Sequence, residues 1–150
     1  MARAILFPRK FPMIMLRSLA VWLALICAET AHGILRTLFL APLVGDFHAR
    51  QIAVFTGSAI IFTITALLVK WMRATRAREL LGIGTLWLVL TVLFEVLVGV
   101  YAAGYSWERV SSDYNIARGG LLPVGLLFMA LSPLLAGRLR GVVRPRTGEK

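Results

Sequence analysis

Four long apolar runs, separated by short polar segments, dominate the chain. They cover residues 11–33, 51–72, 80–105 and 120–137. Each is close to the roughly 20 apolar residues that a helix needs to cross a hydrocarbon core about 30 Å thick. The segments between them are too short to bury a hydrophobic core of their own. The pattern therefore predicts an all-α, polytopic membrane protein in which residues 1–150 form a single four-helix transmembrane bundle.

The first run has two possible fates. A basic start precedes its apolar core, as in a secretory signal peptide. Cleavage would leave three spans and put the strongly basic C-terminus outside, so we expect a retained helix. Residues 34–44 follow, interrupted by Arg36 and closed by Pro42 and Gly45, and they are too short to span alone. They either extend the first helix or lie along the outer interface.

The charge distribution sets the expected orientation. The chain has 17 basic and seven acidic residues and a net charge of +10, although 59% of its residues are apolar and only 16% are charged. The basic residues cluster before the first run, between the second and third, and after the fourth, which is the pattern of the positive-inside rule. We therefore expect both termini on the cytoplasmic side of a bacterial inner (plasma) membrane, near anionic lipid headgroups. The same pattern argues against binding of nucleic acid.

The opposite side carries a balanced set of charges. On this topology the inner side holds 13 basic residues and two acids, and the outer half holds four basic residues and five acids. The outer charged group, with its two histidines, consists of Glu29, His32, Arg36, Asp46, His48, Arg50, Glu95, Glu108, Arg109, Asp113 and Arg118. Nearly balanced charges at one depth favour contacts among themselves.

Candidate site residues within this group come first from the helices. Glu29, His32 and Arg36 are spaced so that they share one face of a continuous helix. Glu95 lies about 15 residues into its span. An unpaired ionised carboxylate at such a depth costs roughly 2.5–3.5 kcal/mol. We therefore expect Glu95 to face the bundle interior as a ligand-binding, ion-binding or proton-labile group.

The loop 106–120 supplies the other two candidates, Asp113 and Arg118. It offers more donors and acceptors than a connector needs, so it either covers the bundle as a lid or docking surface or seals the helix ends. The competing interpretation of the whole group is a structural ion-pair network that fixes helix packing. Its expected pairs would be Glu95 with Arg36, or Glu29 with Arg118.

Metal and cofactor chemistry has little support in the sequence. Glu29 and His32 have the spacing of half a carboxylate-bridged di-iron site, but only one such pair is present. Haem ligation would need His32 and His48, with Pro42 and Gly45 between them. Any metal or cofactor therefore stays unassigned, and because no hydrolase or nucleotide-binding motif is present, an enzyme is the less favoured class.

Three further positions carry local predictions. Pro133 lacks the amide hydrogen that would bond the carbonyl of Met129, so it should kink the fourth helix. Hydroxyls such as that of Thr65 can bond back to helix carbonyls or across to a neighbouring helix. Cys27, the single cysteine, allows no intrachain disulfide and is expected to be a small buried side chain.

Two functional hypotheses follow. In the first, the outer-facing polar cluster binds or translocates a small polar solute or ion. In the second, the protein is a non-catalytic accessory or assembly subunit of a larger membrane complex, and the polar cluster only fixes packing. A homo-oligomer is compatible with both hypotheses.

Overall fold

The computed structural model describes residues 10–143. The basic residues Arg3, Arg9, Arg144, Arg146 and Lys150, which the charge argument uses, lie outside the described residues. The helices, in chain order, are α1 Lys10–Leu35, a first π turn Arg36–Leu40, α2 Ala41–Val44, α3 Asp46–Met72, α4 Ala77–Leu97, a second π turn Val98–Ala102, α5 Trp107–Tyr114, a 3-10 turn Ile116–Arg118 and α6 Leu122–Leu139.

Four of these helical stretches are long and apolar enough to cross a membrane: Phe11–Val44, Asp46–Met72, Ala77–Ala102 and Leu122–Leu139. The predicted all-helical fold with four helices of transmembrane length is therefore confirmed for the part of the chain that the structure describes. The orientation of the termini stays a prediction. We call the side with Gly45 and residues 103–121 the loop-rich end, and the side with the 73–76 turn the basic end.

The first span continues through residues 34–44 instead of ending near residue 33. The amide of Ala41 donates to the carbonyl of Arg36, five residues back, so the helix widens by one residue without breaking. The next residue, Pro42, sits at the start of α2, where a missing amide is tolerated. At about 1.5 Å per residue, the 34 residues of this span reach about 51 Å, well beyond the hydrocarbon thickness.

Helix α6 lies between α3 and α4 and packs extensively on both, whereas α1 packs mainly on α3. The backbones of α4 and α6 cross closely, since a side chain at Gly84 would collide with the carbonyl of Ala130. Small residues at such crossings let membrane helices approach. Cys27 is exposed on the surface of α1, so the prediction that it is buried is wrong.

Toward the basic end the helices meet in a layer with almost no accessible surface. Its members, which we call the packed layer, are Ser18, Val21, Thr65, Trp87 and Ser132, each no more than 1% exposed. The indole of Trp87 donates to the carbonyl of Ser18 at 2.9 Å, and the hydroxyls of Thr65 and Ser132 meet at 3.5 Å between α3 and α6. Apolar packing continues below this layer through Val69, Met72 and Leu80.

The loop 106–120 contains a short helix, α5, which the pattern of hydrophobic runs does not predict. Ser106 caps α5 by accepting a hydrogen bond from the amide of Arg109. After α5, Gly119 adopts a φ of 84°, and a side chain at Gly120 would collide with the carbonyls of Ser112 and Asp113. These two glycines therefore let the chain turn tightly from α5 into α6.

Candidate cavity in the loop-rich half of the bundle

A cavity of about 580 Å³ occupies the loop-rich half of the bundle. All four long helices and α5 contribute to its walls. Its lining reaches no deeper than Leu25 on α1, Ile61 on α3, Thr91 on α4 and Met129 on α6, and the packed layer begins immediately beyond these residues. The cavity is therefore accessible from one half of the bundle and closed toward the basic end.

Five of the six predicted site residues line this cavity: Glu29, His32, Arg36, Glu95 and Asp113. Arg118 does not belong to the lining and is exposed in the 3-10 turn. The second histidine, His48, is also outside the lining, where it contacts the ring of Phe47. The residues chosen for their helical spacing in the first span and the residue chosen for its depth, Glu95, therefore line one cavity. Of the two candidates in the loop, only Asp113 belongs to the lining.

Glu29 and His32 form a pair one helical turn apart. Oε2 of Glu29 lies 3.4 Å from Nδ1 of His32, and Nε2 of His32 lies 2.9 Å from Oγ1 of Thr56 on α3. The Glu29 carboxylate packs where a side chain at Gly57 would stand, so glycine makes room for it. Its other oxygen, Oε1, is buried without a hydrogen-bond partner among the described residues.

Proton positions in this pair are linked through Thr56. The hydroxyl of Thr56 also lies 3.3 Å from the carbonyl of Ile52, to which it can donate. It then accepts from Nε2–H of His32, which leaves Nδ1 of a neutral ring without a proton. In that arrangement the contact with Glu29 needs a proton on the carboxyl or a second one on the imidazole.

The three arginines of the lining are engaged by two aspartates. Asp46, the first residue of α3, lies 3.4 Å from Arg36, 3.5 Å from Arg50 and 3.4 Å from Arg109. Asp113 lies 2.7 Å from Nη1 of Arg50. The ion pairs expected between Glu95 and Arg36 and between Glu29 and Arg118 are not found among the described residues. Asp46 and Arg50 belong to the predicted charged group, but nothing in their spacing singled them out as its centre.

Two residues of α5 that line the cavity, Asp113 and Tyr114, are partly buried. Burial raises the pKa of Asp113, and the neighbouring Arg50 and Arg109 oppose that shift only in part. Burial also raises the pKa of Tyr114, and the carboxylates of Glu95 and Asp113 add to it. The Tyr114 hydroxyl has no hydrogen-bond partner among the described residues. This hydroxyl is therefore a buried, unpaired donor on a residue that lines the cavity.

Glu95 differs from every other acid of the lining. Its carboxylate makes no hydrogen bond or ion pair within the described chain, although Asp113, Glu29 and Arg36 are close enough to interact with it electrostatically. Its side chain is exposed, and as a lining residue it presents that surface to the cavity. The lining therefore contains a carboxylate, that of Glu95, whose acceptor positions are unused by the described residues.

Among residues 10–143, no three His, Cys, Asp or Glu side chains are grouped so that they could hold a metal ion. No nucleophile with an adjacent base emerges from the contacts just described. Comparison of the chain with protein-family models, with curated proteins and with solved structures finds no match.

Proposed function

We propose that this protein binds a small solute in the cavity, as the first step in translocating it from the loop-rich side of the membrane. The observation that carries the proposal is the unpartnered carboxylate of Glu95 inside a cavity that ends at the packed layer. A site accessible from one side only is what a carrier presents in one of its alternating states.

Energetics favour a binding role for Glu95 over a packing role. A charged side chain within a transmembrane helix costs roughly 2.5–3.5 kcal/mol on insertion scales, so a structural carboxylate is normally paired. Arg36 is the cation whose charge acts on Glu95, and its guanidinium lies 3.4 Å from Asp46 instead. The carboxylate of Glu95 is therefore left without a partner within the described chain, and a bound ligand can supply one.

The size of the cavity fits this role. Sites for small molecules typically enclose about 300–1,000 Å³, with mostly apolar walls and a few polar groups that fix orientation. Here about 580 Å³ is enclosed by apolar side chains such as Phe94, Val54 and Leu126, with Glu95 and the Glu29–His32 pair among them.

Native mass spectrometry of protein gently extracted from its own membrane tests the proposal. Wild type should carry a small-molecule adduct that Gly33→Phe removes. Gly33 lines the cavity one turn after Glu29, and a side chain there meets nothing within 4 Å, so the substitution fills space without disturbing a charge. An adduct retained by the filled variant, or no adduct on any form, would contradict binding in this cavity.

An accessory subunit is the second candidate, and one feature favours it. The last turns of the first span, beyond the length that a bilayer requires, leave Leu38, Phe39 and Leu43 between 62% and 81% exposed. The same spectra decide between the two. Recovery in a stable hetero-complex, with no adduct and no effect of Gly33→Phe, would favour the subunit.

A further inference from the structure

We infer that the solute is an organic cation with an apolar body; this rests on the proposed function and names the chemical class that its site would accept. The inference comes from an inventory of the charges in the cavity lining. Some of these charges are already paired within the chain, and the others are left for a ligand.

Positive groups in the lining are all engaged. Arg36 and Arg109 each lie 3.4 Å from Asp46, and Arg50 contacts both Asp46 and Asp113. An anionic ligand would have to displace an aspartate from one of these pairs. Each arginine of the described lining therefore already has an aspartate within 3.5 Å, although Nε of Arg50 is buried without a hydrogen-bond partner, so an anion would compete with a carboxylate for every one of them.

Negative acceptors, in contrast, are left over. Glu95 is unpartnered within the described chain, and Oε1 of Glu29 is buried without a hydrogen-bond partner. Both residues line the same cavity as Tyr114, whose ring can pack against a cationic centre. An ammonium group placed among them would gain the partners that these acceptors lack.

The apolar residues of the cavity lining favour a ligand that has an apolar part as well as a cationic group. Side-chain contacts between α1 and α4 occur at Trp22 with Thr91 and Phe94, and at Ser18 with Trp87, all toward the packed layer. Toward the loop-rich end, the polar side chains of α1 contact α3 instead, as in the His32–Thr56 bond.

Toward the same end, the first span and the span that contains α4 both contribute residues to the lining of the cavity. Its border there is formed by Ile34, Leu38 and Val98, which are apolar and 40–62% exposed. A bare inorganic cation would need several oxygen ligands at about 2.3–2.6 Å, which this lining does not gather. A cation with an apolar substituent matches both the free carboxylates and the apolar border.

Calorimetric titration of the purified full-length protein with three matched probes tests the inference. The probes are 4-phenylbutyltrimethylammonium, its neutral analogue with carbon in place of nitrogen, and 4-phenylbutanesulfonate. The ammonium compound should bind at least about tenfold more tightly than the other two. Glu95→Gln should weaken that binding at least about tenfold and leave the neutral analogue unaffected. Glu108→Gln, which removes an acid of α5 outside the lining, should change neither.

Failure of this inference is distinguishable from failure of the proposed function. If all three probes bind equally, Glu95→Gln has no effect and Gly33→Phe abolishes binding, the cavity binds solutes but the cationic class is wrong. Preferential binding of the sulfonate would overturn the class as well. If Gly33→Phe leaves the binding of every probe unchanged, or none binds, neither the class nor the cavity stands for ligands of this size.

Discussion

Pro133 shows how one residue can be tolerated in the middle of a buried helix. It is fully buried in α6, which remains helical from Leu122 to Leu139 across it. Its missing amide would leave the carbonyl of Met129 unsatisfied. The hydroxyl of Ser132 donates to that same carbonyl at 2.8 Å. The serine therefore supplies the hydrogen bond that the proline removes, as serine and threonine do in other transmembrane helices.

Removing the Ser132 hydroxyl should consequently be costly. We expect Ser132→Ala to lower the free energy of unfolding by about 1–3 kcal/mol, the range for a buried polar group left without a partner. In a Pro133→Ala background the amide returns to Met129, so the same substitution should cost less. Denaturant unfolding in mixed micelles measures both. Equal losses in the two backgrounds would show that the hydroxyl acts through Thr65 and not through the helix backbone.

Asp113 gives a prediction for pH. Its pKa is raised by burial, so the folded state favours the protonated form. Stability linked to this group is therefore fully present below the ordinary, unfolded-state pKa of an aspartate and is lost as the pH rises through the raised pKa. Asparagine at 113 resembles the protonated acid and can keep a hydrogen bond from Arg50. We expect Asp113→Asn to have a Tm at least equal to that of wild type at pH 7, with the difference closing on acidification. A variant markedly less stable at pH 7 would contradict this.

At the scale of elements, Asp46 joins parts of the chain that are distant in sequence. Its carboxylate contacts Arg36 at the end of the first span, Arg50 one turn along α3, and Arg109 on α5. These pairs are partly exposed, so each contributes modestly, about 0–1 kcal/mol. Of these pairs, Asp46–Arg109 links α3 to α5, and the Arg50–Asp113 contact is a second link between the same two helices.

Asp46→Asn should weaken the attachment of α5 to α3 and so increase the amide exchange of α5. Losing the Asp46–Arg109 pair, which contributes about 0–1 kcal/mol, should raise amide exchange in α5 by up to about fivefold. Arg118→Gln is the matched control, because it removes an exposed charge shortly after α5 that has no ion pair within the described chain. Hydrogen exchange of peptides covering 107–114 measures the effect. Equal protection in the Asp46 variant and wild type would mean that apolar packing, and not charge, holds this helix.

Elements also show where sequence patterns stop being informative. Hydropathy identifies the four long helices because the bilayer imposes a minimum length on each. The two π turns, Arg36–Leu40 and Val98–Ala102, have no such signature, since one inserted residue changes neither composition nor hydrophobicity. Helix α5 had a readable signal in Ser106, an N-cap residue ahead of a polar segment, but its short length hid it in the loop.

For the molecule as a whole, periodicity and depth pointed to residues that share one cavity. The spacing of Glu29, His32 and Arg36 fixes a helix face, and the position of Glu95 in its span fixes a depth. The pairing of charges was not predictable, because several arginines and acids at one depth can combine in many ways. Only the tertiary arrangement assigns Arg36 to Asp46 and leaves Glu95 free.

Orientation in the membrane is the whole-molecule prediction that remains to be tested. Single cysteines at Ser111 on α5 and at Thr75 in the 73–76 turn, both exposed, would report on which side of the membrane the loop-rich end and the basic end lie. Because Cys27 is exposed, it must first be replaced by serine. A membrane-impermeant maleimide should label Ser111→Cys in intact cells and Thr75→Cys only after permeabilisation. The opposite labelling would put the cavity on the cytoplasmic side.

The packed layer has an electrical consequence. In a bilayer, the cavity brings the aqueous phase of the loop-rich side deep into the bundle. A transmembrane voltage then falls mostly across the dry layer around Trp87, because field lines concentrate where water is absent. Moving one elementary charge through the full voltage changes its energy by about 2.3 kcal/mol per 100 mV. A cation beside Glu95 would have crossed little of that electrical distance, so voltage would act on its passage mainly at the packed layer.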